Sequence, residues 1–417
     1  MVNFTEIKGL YQKGRSVVSN YLHMTILQVA NSFFYLLIYP FVINAVGTES
    51  FGLFVFASSI AAYFMVFVNF GFDIHCAKLV PLHPEDGSYH ASLLSTVTLA
   101  KLGFEIVSLL VFSLLVLMIP FMSEHRELFW LCFCNTLSSV FLPMWYFHGR
   151  QKMKVLTIVQ LAFKLLSLPV VFVMINDASD IDAYASIVVG ANVLSSMVAF
   201  LIMIRLTGAT MRWPGARALR AIVVEVQPFF WSTATNTLKQ RSVEIIIGSL
   251  FGMKEVAIYD LANKIFSVPS LLVSNINAAL FPMMVKVAKR DLVGKIIKIE
   301  LFMALLCILS VALFGSWVVE LVSAPGMGGA YYIAMLLSLN IVTFLVVGSH
   351  IYFIFVPQQR YDYVLRNQVV SVISFYLFCG LYLAMSWSIY SVVLALVTSA
   401  LLEIVYSYSL VKKMEGY

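Results

Sequence analysis

The run IDAYASIVVGANVLSSMVAFLIMIRL at 181–206, followed by TGATMRWPGARALRAI at 207–222, decides the fold. The first run has 26 mostly apolar residues, and crossing a bilayer takes about 20. The basic cluster at its end is Arg205, Arg212, Arg217 and Arg220, with Pro214 and Gly215 among them. Cytoplasmic loops of membrane proteins carry an excess of Lys and Arg. The segment therefore reads as a spanning helix that returns the chain to the cytoplasm, followed by a cytoplasmic linker halfway along 417 residues.

The rest of the chain repeats that pattern. With 61% hydrophobic residues, 12% charged residues and a mean hydropathy of +0.92, it lies far outside the soluble range. Apolar runs divide it into twelve spans: 19–43, 52–73, 91–119, 127–148, 153–174 and 181–206, then 226–250, 256–283, 296–322, 328–352, 361–385 and 386–412. Of the 27 Lys and Arg residues, 20 fall in alternate inter-span stretches and two, Arg126 and Lys254, in the intervening ones. That asymmetry puts both termini on the cytoplasmic side of a bacterial inner membrane. The first eighteen residues are polar and basic and show no signal-peptide pattern. Trp130, Trp145 and Trp387, at or near span ends, suit the interfacial belt.

The halves 1–206 and 223–417, joined by 207–222, show a trace of a parallel repeat. Gly47-Thr-Glu-Ser-Phe-Gly52 through Ile60 aligns without gaps on Gly252-Met-Lys-Glu-Val-Ala257 through Ile265. Gly47 matches Gly252, Ala57 matches Ala262 and Ile60 matches Ile265, and both copies open the second span of their half.

Several function classes are excluded. No stretch between spans exceeds about twenty residues and no G-x-x-x-x-G-K-[ST] loop is present, so neither a soluble catalytic domain nor an ATP site is expected. The five cysteines, Cys76, Cys132, Cys134, Cys307 and Cys379, lack metal or redox spacing. No catalytic residue, metal or cofactor is expected, and nothing points to nucleic acid. A secondary transporter fits.

Its candidate site is the set of cations inside spans. Lys101 and Lys164 lie roughly 14 Å from their cytoplasmic ends at 1.5 Å per residue, and Arg241 and Lys264 roughly 14 Å and 12 Å in, approached from the other side. Lys239 is close by, accompanied by Glu105, Glu244 and Asp260. Each cation at a helix centre costs about 2.5–3.5 kcal/mol against lipid, so these must face partners or a cavity. Lys101 with Glu105 and Asp260 with Lys264 stand at i,i+4, where pairing neutralises charge without any ligand. Arg241, which in practice cannot lose its proton, has the geometry of a phosphate fork. The acids are candidates for charge pairing or ion coupling. His23 and His350, Asn20, Asn31, Asn236, Asn275 and Asn277 could line a lumen or simply join helices, and Pro169 and Pro269 are candidate kinks.

Four motifs carry a resemblance: Tyr39-Pro40 leading to Gly47-x-x-x-x-Gly52-Leu-Phe, the Phe70-Gly71-Phe72 turn, His148-Gly149-Arg150-Gln-Lys152-Met-Lys154, and Tyr259-Asp-Leu-Ala262-Asn-Lys264-Ile. With these the whole chain resembles the polysaccharide flippases of the Wzx type, within the multidrug/oligosaccharidyl-lipid/polysaccharide exporter superfamily. The resemblance implies an all-α polytopic protein of about twelve transmembrane helices in two six-helix bundles around a central cavity. It also implies flipping of undecaprenyl-diphosphate-linked repeat units, as for O-antigen, from the cytoplasmic to the periplasmic leaflet, with a cationic lumen for the diphosphate. Membrane lipids, a polysaccharide polymerase, a chain-length regulator and H+ or Na+ as coupling ion are the partners it suggests. The rivals are a cation-coupled drug or small-molecule exporter of the same superfamily, a lipid-linked peptidoglycan precursor flippase and a non-transporting partner in polysaccharide assembly. Span 1 lacks the carboxylate a drug exporter would want, and precursor flippases usually have fourteen spans.

The topology is checked by impermeant thiol labelling of single cysteines placed in 175–183 and 284–296. Label should reach 175–183 from outside intact cells; labelling of 284–296 from outside would overturn the assignment.

Overall fold

The computed structural model describes residues 37–83, 87–208, 212–287 and 290–415, with the side chains of 272–276, 278–291 and 415 outside the description. Most of the first expected span, the N-terminal arm, His23, Asn20, Asn31 and the side chains of Asn275, Lys286 and Lys289 therefore lie outside the described residues.

The described chain is helical, without a strand among the described residues. Leu37–Val46 (α1) leads into Thr48–Asn69 (α2), and Phe72–Leu79 (α3) follows. Gly87–Met118 (α4), a short Pro120–Glu124 (α5), Arg126–Cys134 (α6), Thr136–Phe141 (α7) and Met144–Gly149 (α8) come next, then Met153–Met174 (α9) and Ile181–Thr207 (α10). The remainder comprises Ala216–Phe251 (α11), Met253–Val287 (α12), Arg290–Val322 (α13), Gly329–Ser338 (α14), Asn340–His350 (α15), Tyr361–Met385 (α16) and Ile389–Glu415 (α17).

Among the described residues, nine helical segments are long and apolar enough to cross a membrane. Helix α11, of 36 residues, is also long enough but less apolar, because it carries Lys239, Arg241 and Glu244, and α12, of 35 residues, is long enough and has Asp260 and Lys264 in its first half. The fourth span is broken rather than continuous. Pro143 has no N–H to give and disfavours helical backbone before it, and Leu142 is extended with ψ 109°. Pro169 and Pro269, with Pro228 in α11, sit inside helices that continue through them.

The internal repeat has a structural counterpart. Gly47 is the single non-helical residue between α1 and α2, and Gly252 is the single one between α11 and α12. Their φ angles are +83° and +96°, a region that costs a residue with a Cβ but not glycine. The same residue thus makes the same one-residue joint at both places that the sequence alignment matches.

Two compact units emerge from the backbone. One contains 60–234; the other contains 37–59 and the described residues from 235 onward. In the first, Phe70 adopts φ 44°, uncommon for a bulky side chain, and its ring is stacked between Phe104 and Phe230 at 4.4 Å from each. Buried Phe72, Trp145 and Phe147 form the adjoining core. In the second, α2 packs closely on the start of α12: a Cβ at Gly52 would lie 1.8 Å from the Met253 carbonyl oxygen.

The surface inverts soluble practice. Leu117, Val173 and Leu313 are 80%, 75% and 71% exposed, whereas Lys101, Glu244, Glu300 and His350 are buried. Such a surface suits contact with lipid, where apolar side chains gain nothing by turning inward.

Gly52→Ala should lower the melting temperature of the detergent-solubilised protein, since the Met253 backbone must move at a cost of about 1–3 kcal/mol. Gly103→Ala, where the new methyl meets nothing within 4 Å, should leave it unchanged.

Candidate substrate cavity

A cavity of about 700 Å³ lies in the second unit, lined by α11, α12, α14, α15, α16 and α17. Helical periodicity explains how these helices contribute. On α12, Asp260, Asn263, Lys264, Ser267 and Leu271 recur at three- and four-residue spacing and share one face. On α17, Leu396, Ala400 and Glu403 do the same.

Arg241 and Glu244 form the first ionic group. The Arg241 Nη1 donates to both Glu244 oxygens at 3.3 and 3.1 Å, and the Ser59 hydroxyl donates to Glu244 Oε2. The two side chains differ in access: Glu244 is 3% exposed and Arg241 43%. Both hydrogen bonds use Nη1, so the Nε and Nη2 hydrogens have no protein acceptor among the described residues. The guanidinium is held at one corner and offers the remainder to the cavity.

Lys264 pairs with Asp260 at 3.8 Å, the i,i+4 arrangement anticipated from their spacing. Lys239 has a partner that sequence reading passed over. Its ammonium donates to the Ser371 hydroxyl and lies 3.7 Å from Glu403 Oε2. Ser371 also reaches Glu403 at 2.6 Å, and the Asn367 amide donates to the other Glu403 oxygen at 3.3 Å. This network joins α11, α16 and α17. Counting acids as well as cations within apolar spans would have exposed Glu403, which stands in the last span.

The cavity brings together five of the eight sequence-derived residues: Lys239, Arg241, Lys264, Glu244 and Asp260. With Glu403 it holds three cations and three carboxylates. The other three belong to the first unit. Lys101 is 1% exposed; its ammonium lies 3.4 Å from Asp73 and donates to the Ser139 carbonyl at 2.9 Å. The ion pair it forms is thus with Asp73 on α3, not with Glu105 one turn along α4. Glu105 instead takes the Thr136 hydroxyl at 2.6 Å. Lys164 is half-buried on α9. His350 is buried, with Nδ1 2.9 Å from the Ser407 hydroxyl, a contact that joins helices and does not line the cavity. Among the described residues no His, Cys, Asp and Glu cluster has metal-binding geometry.

This helical fold is shared with solved structures described as transporters of the MOP superfamily. The chain superposes on an inward-facing multidrug resistance MATE family transporter of the MOP superfamily with a TM-score of 0.71 at 12% identity, covering 97% of this chain and 99% of that one. An outward-facing transporter of the same description gives 0.57 at 16% identity, with 97% of each chain covered. The family described as "Polysaccharide biosynthesis protein" matches residues 17–288, and the chain belongs to it. A relative from Escherichia coli (strain K12), "Putative O-antigen transporter", is 24% identical over 348 residues, 81% of this chain and 82% of the relative. The protein is a multi-pass membrane protein of this polysaccharide biosynthesis family.

The Lys239–Glu403 pair yields a double-mutant prediction. Glu403→Gln strands a cation that is 13% exposed and should lower the melting temperature more than Glu403→Gln combined with Lys239→Met, because a lone buried charge costs about 3–5 kcal/mol. Additive losses in the cycle would show that the two groups are not coupled.

Proposed function

We propose that the chain flips undecaprenyl-diphosphate-linked oligosaccharide repeat units, of O-antigen or a related polysaccharide, from the cytoplasmic to the periplasmic leaflet of a bacterial inner membrane. The observation that carries this reading is Arg241: a permanently charged fork, half open to a cavity, with hydrogen-bond donors left over. A diphosphate presents the planar, multi-oxygen anion that such a fork binds by paired charge-assisted bonds. Lys264, 29% exposed on the neighbouring helix, supplies a second cation. Hydroxyl and amide groups such as Thr235, Asn236, Asn263 and Gln368 suit sugar hydroxyls. The isoprenoid tail can remain in lipid, so the cavity has to shield the head alone.

In this reading 1–206 and 223–417 are two six-helix halves joined by a cytoplasmic linker at 207–222, both termini are cytoplasmic, and access alternates by movement of one half against the other. The reaction makes and breaks no covalent bond, so the protein is a transporter and not an enzyme. Lys164 and Lys101 are proposed as anion contacts within the first half, Lys101 once it leaves Asp73. A polymerase and a chain-length regulator are the partners expected to receive the flipped unit. Three carboxylates among the cavity residues keep a cation-coupled drug exporter as the second reading. It predicts drug sensitivity on deletion, without accumulation of lipid-linked glycan.

The test centres on Arg241. Arg241→Ala alone leaves Glu244 buried and unpaired, so Arg241→Ala with Glu244→Gln is the informative variant. It should abolish surface polysaccharide while immunoblots show normal protein. Arg241→Lys should keep partial export: it retains charge but loses the fork, and losing one charge-assisted hydrogen bond, about 1.5–3 kcal/mol, weakens binding roughly ten- to hundredfold. A double variant that exports normally would remove Arg241 from the substrate site.

A further inference from the structure

A second polar cluster stands outside the cavity, where α12, α13 and α15 meet. Glu300 on α13 is 1% exposed, Asn277 on α12 is 1% exposed and Ser349 on α15 is fully buried. Ser349 Oγ lies 2.6 Å from Glu300 Oε2 and 3.2 Å from Asn277 Oδ1, and the Asn277 amide nitrogen donates to the Leu345 carbonyl at 3.1 Å. The other carboxyl oxygen, Glu300 Oε1, is buried without a hydrogen-bond partner among the described residues.

Counting hydrogens gives the chemical state. The Leu345 carbonyl can only accept, which turns the amide nitrogen of Asn277 toward it and the amide oxygen toward Ser349. That oxygen also only accepts. Ser349 has a single hydroxyl hydrogen, yet faces two acceptors if Glu300 is a carboxylate. Both contacts are satisfied together when Glu300 carries a proton on Oε2 and donates it to Ser349, which donates in turn to Asn277. A charged Glu300 would have no compensation here, because no cation among the described residues is within ion-pair distance of it. Lys295 and Lys298 on its own helix are exposed. From α15 it meets Ser349, which in turn contacts Asn277 of α12; the adjacent His350 is turned to Ser407 on α17, and on α14 Tyr331 donates to the Ala312 carbonyl of α13.

We propose that Glu300, with Ser349 and Asn277, is a proton-exchange site coupled to movement of α12 in the transport cycle. When Glu300 releases its proton to water, the Oε2 carboxylate takes the Ser349 hydrogen, and Asn277 Oδ1 loses its donor. The tie between α12 and α15 is thereby weakened at a point of close contact, where Asn277 Nδ2 would lie 2.6 Å from a Cβ at Gly348. Gly348 itself lines the substrate cavity, as do Asp260 and Lys264 further along α12. The π-helical turn Ile351–Phe355 follows two residues after Ser349, and such turns are frequent at functional sites. Coupling to transport rests on the flippase reading; the protonated state of Glu300 does not.

The experiment has two arms. Infrared spectra of the purified full-length protein in lipid nanodiscs, taken across a pH titration, are compared between wild type and Glu300→Gln. The Gln side chain can still donate to Ser349, so the variant should fold and melt as wild type does. The expected result is a protonated-carboxyl C=O band that disappears as pH rises in wild type and is missing in Glu300→Gln. A wild-type minus variant spectrum that shows a carboxylate at every pH, or an acid band that never titrates, overturns the exchange site. The second arm is export: Glu300→Gln, permanently neutral, should lose surface polysaccharide at normal protein level, and full export by this variant overturns the coupling. If the flippase reading itself fails, wild type shows no glycan phenotype on deletion, and the infrared arm still decides the proton site.

Discussion

A carboxyl group in an apolar interior has to be neutralised by a cation or by a proton, because a lone charge there costs several kcal/mol. The placement of helices in this protein follows from that requirement. Asp73 faces Lys101, Glu244 faces Arg241, Asp260 faces Lys264 and Glu403 faces Lys239. Two of these pairs also tie distant helices: Lys101 joins α4 to α3 and α7, and Lys239 joins α11 to α16 and α17. In lipid, helices gain little from burying apolar surface against one another, so such ties and close packing carry more of the specificity. Glu105 and Glu300 are buried acids outside these ion pairs, and each contacts a hydroxyl that has another acceptor, Thr136 with the Phe133 carbonyl and Ser349 with Asn277. The same electrostatic rule that locks the ion pairs leaves those two positions suited to protons.

Much of the helical frame was legible in the sequence, because hydropathy and loop charge act along the chain. Spans expected at 153–174 and 361–385 coincide with α9 and α16. Gly47 and Gly252, matched by a weak internal repeat, prove to be equivalent left-handed joints. Contacts between helices were much less legible. Periodicity tells which residues share a face of one helix but not which helix that face meets, so Lys101 was credited with Glu105 at i,i+4 while its actual partner, Asp73, lies 28 residues away. Asp260 and Lys264 were read correctly because theirs is a local pair. Glu403 escaped notice because its span carries no cation near it in sequence, and Glu300 because nothing in its own helix turn signals the Ser349–Asn277 chain.

The charge balance of the cavity bears on how an anion could bind there. With three cations and three carboxylates, it is no fixed well of positive potential waiting for phosphate. Lys239 is committed to Glu403 and Ser371 and is largely buried, whereas Arg241 is more exposed and keeps unused donors. On the proposed function, a diphosphate is received at the Arg241 edge without breaking its bond to Glu244, and the charge it adds still needs compensation in a poorly solvated space. Lys264 could supply part by turning from Asp260, at the cost of a buried, unpaired Asp260. Electroneutrality is restored most directly if protons enter the unit with the anion and leave after its release. On the proposed function, a neutral cavity and a proton-exchanging carboxyl on α13, tied through Ser349 to Asn277 of the cavity-lining helix α12, are then two parts of one requirement.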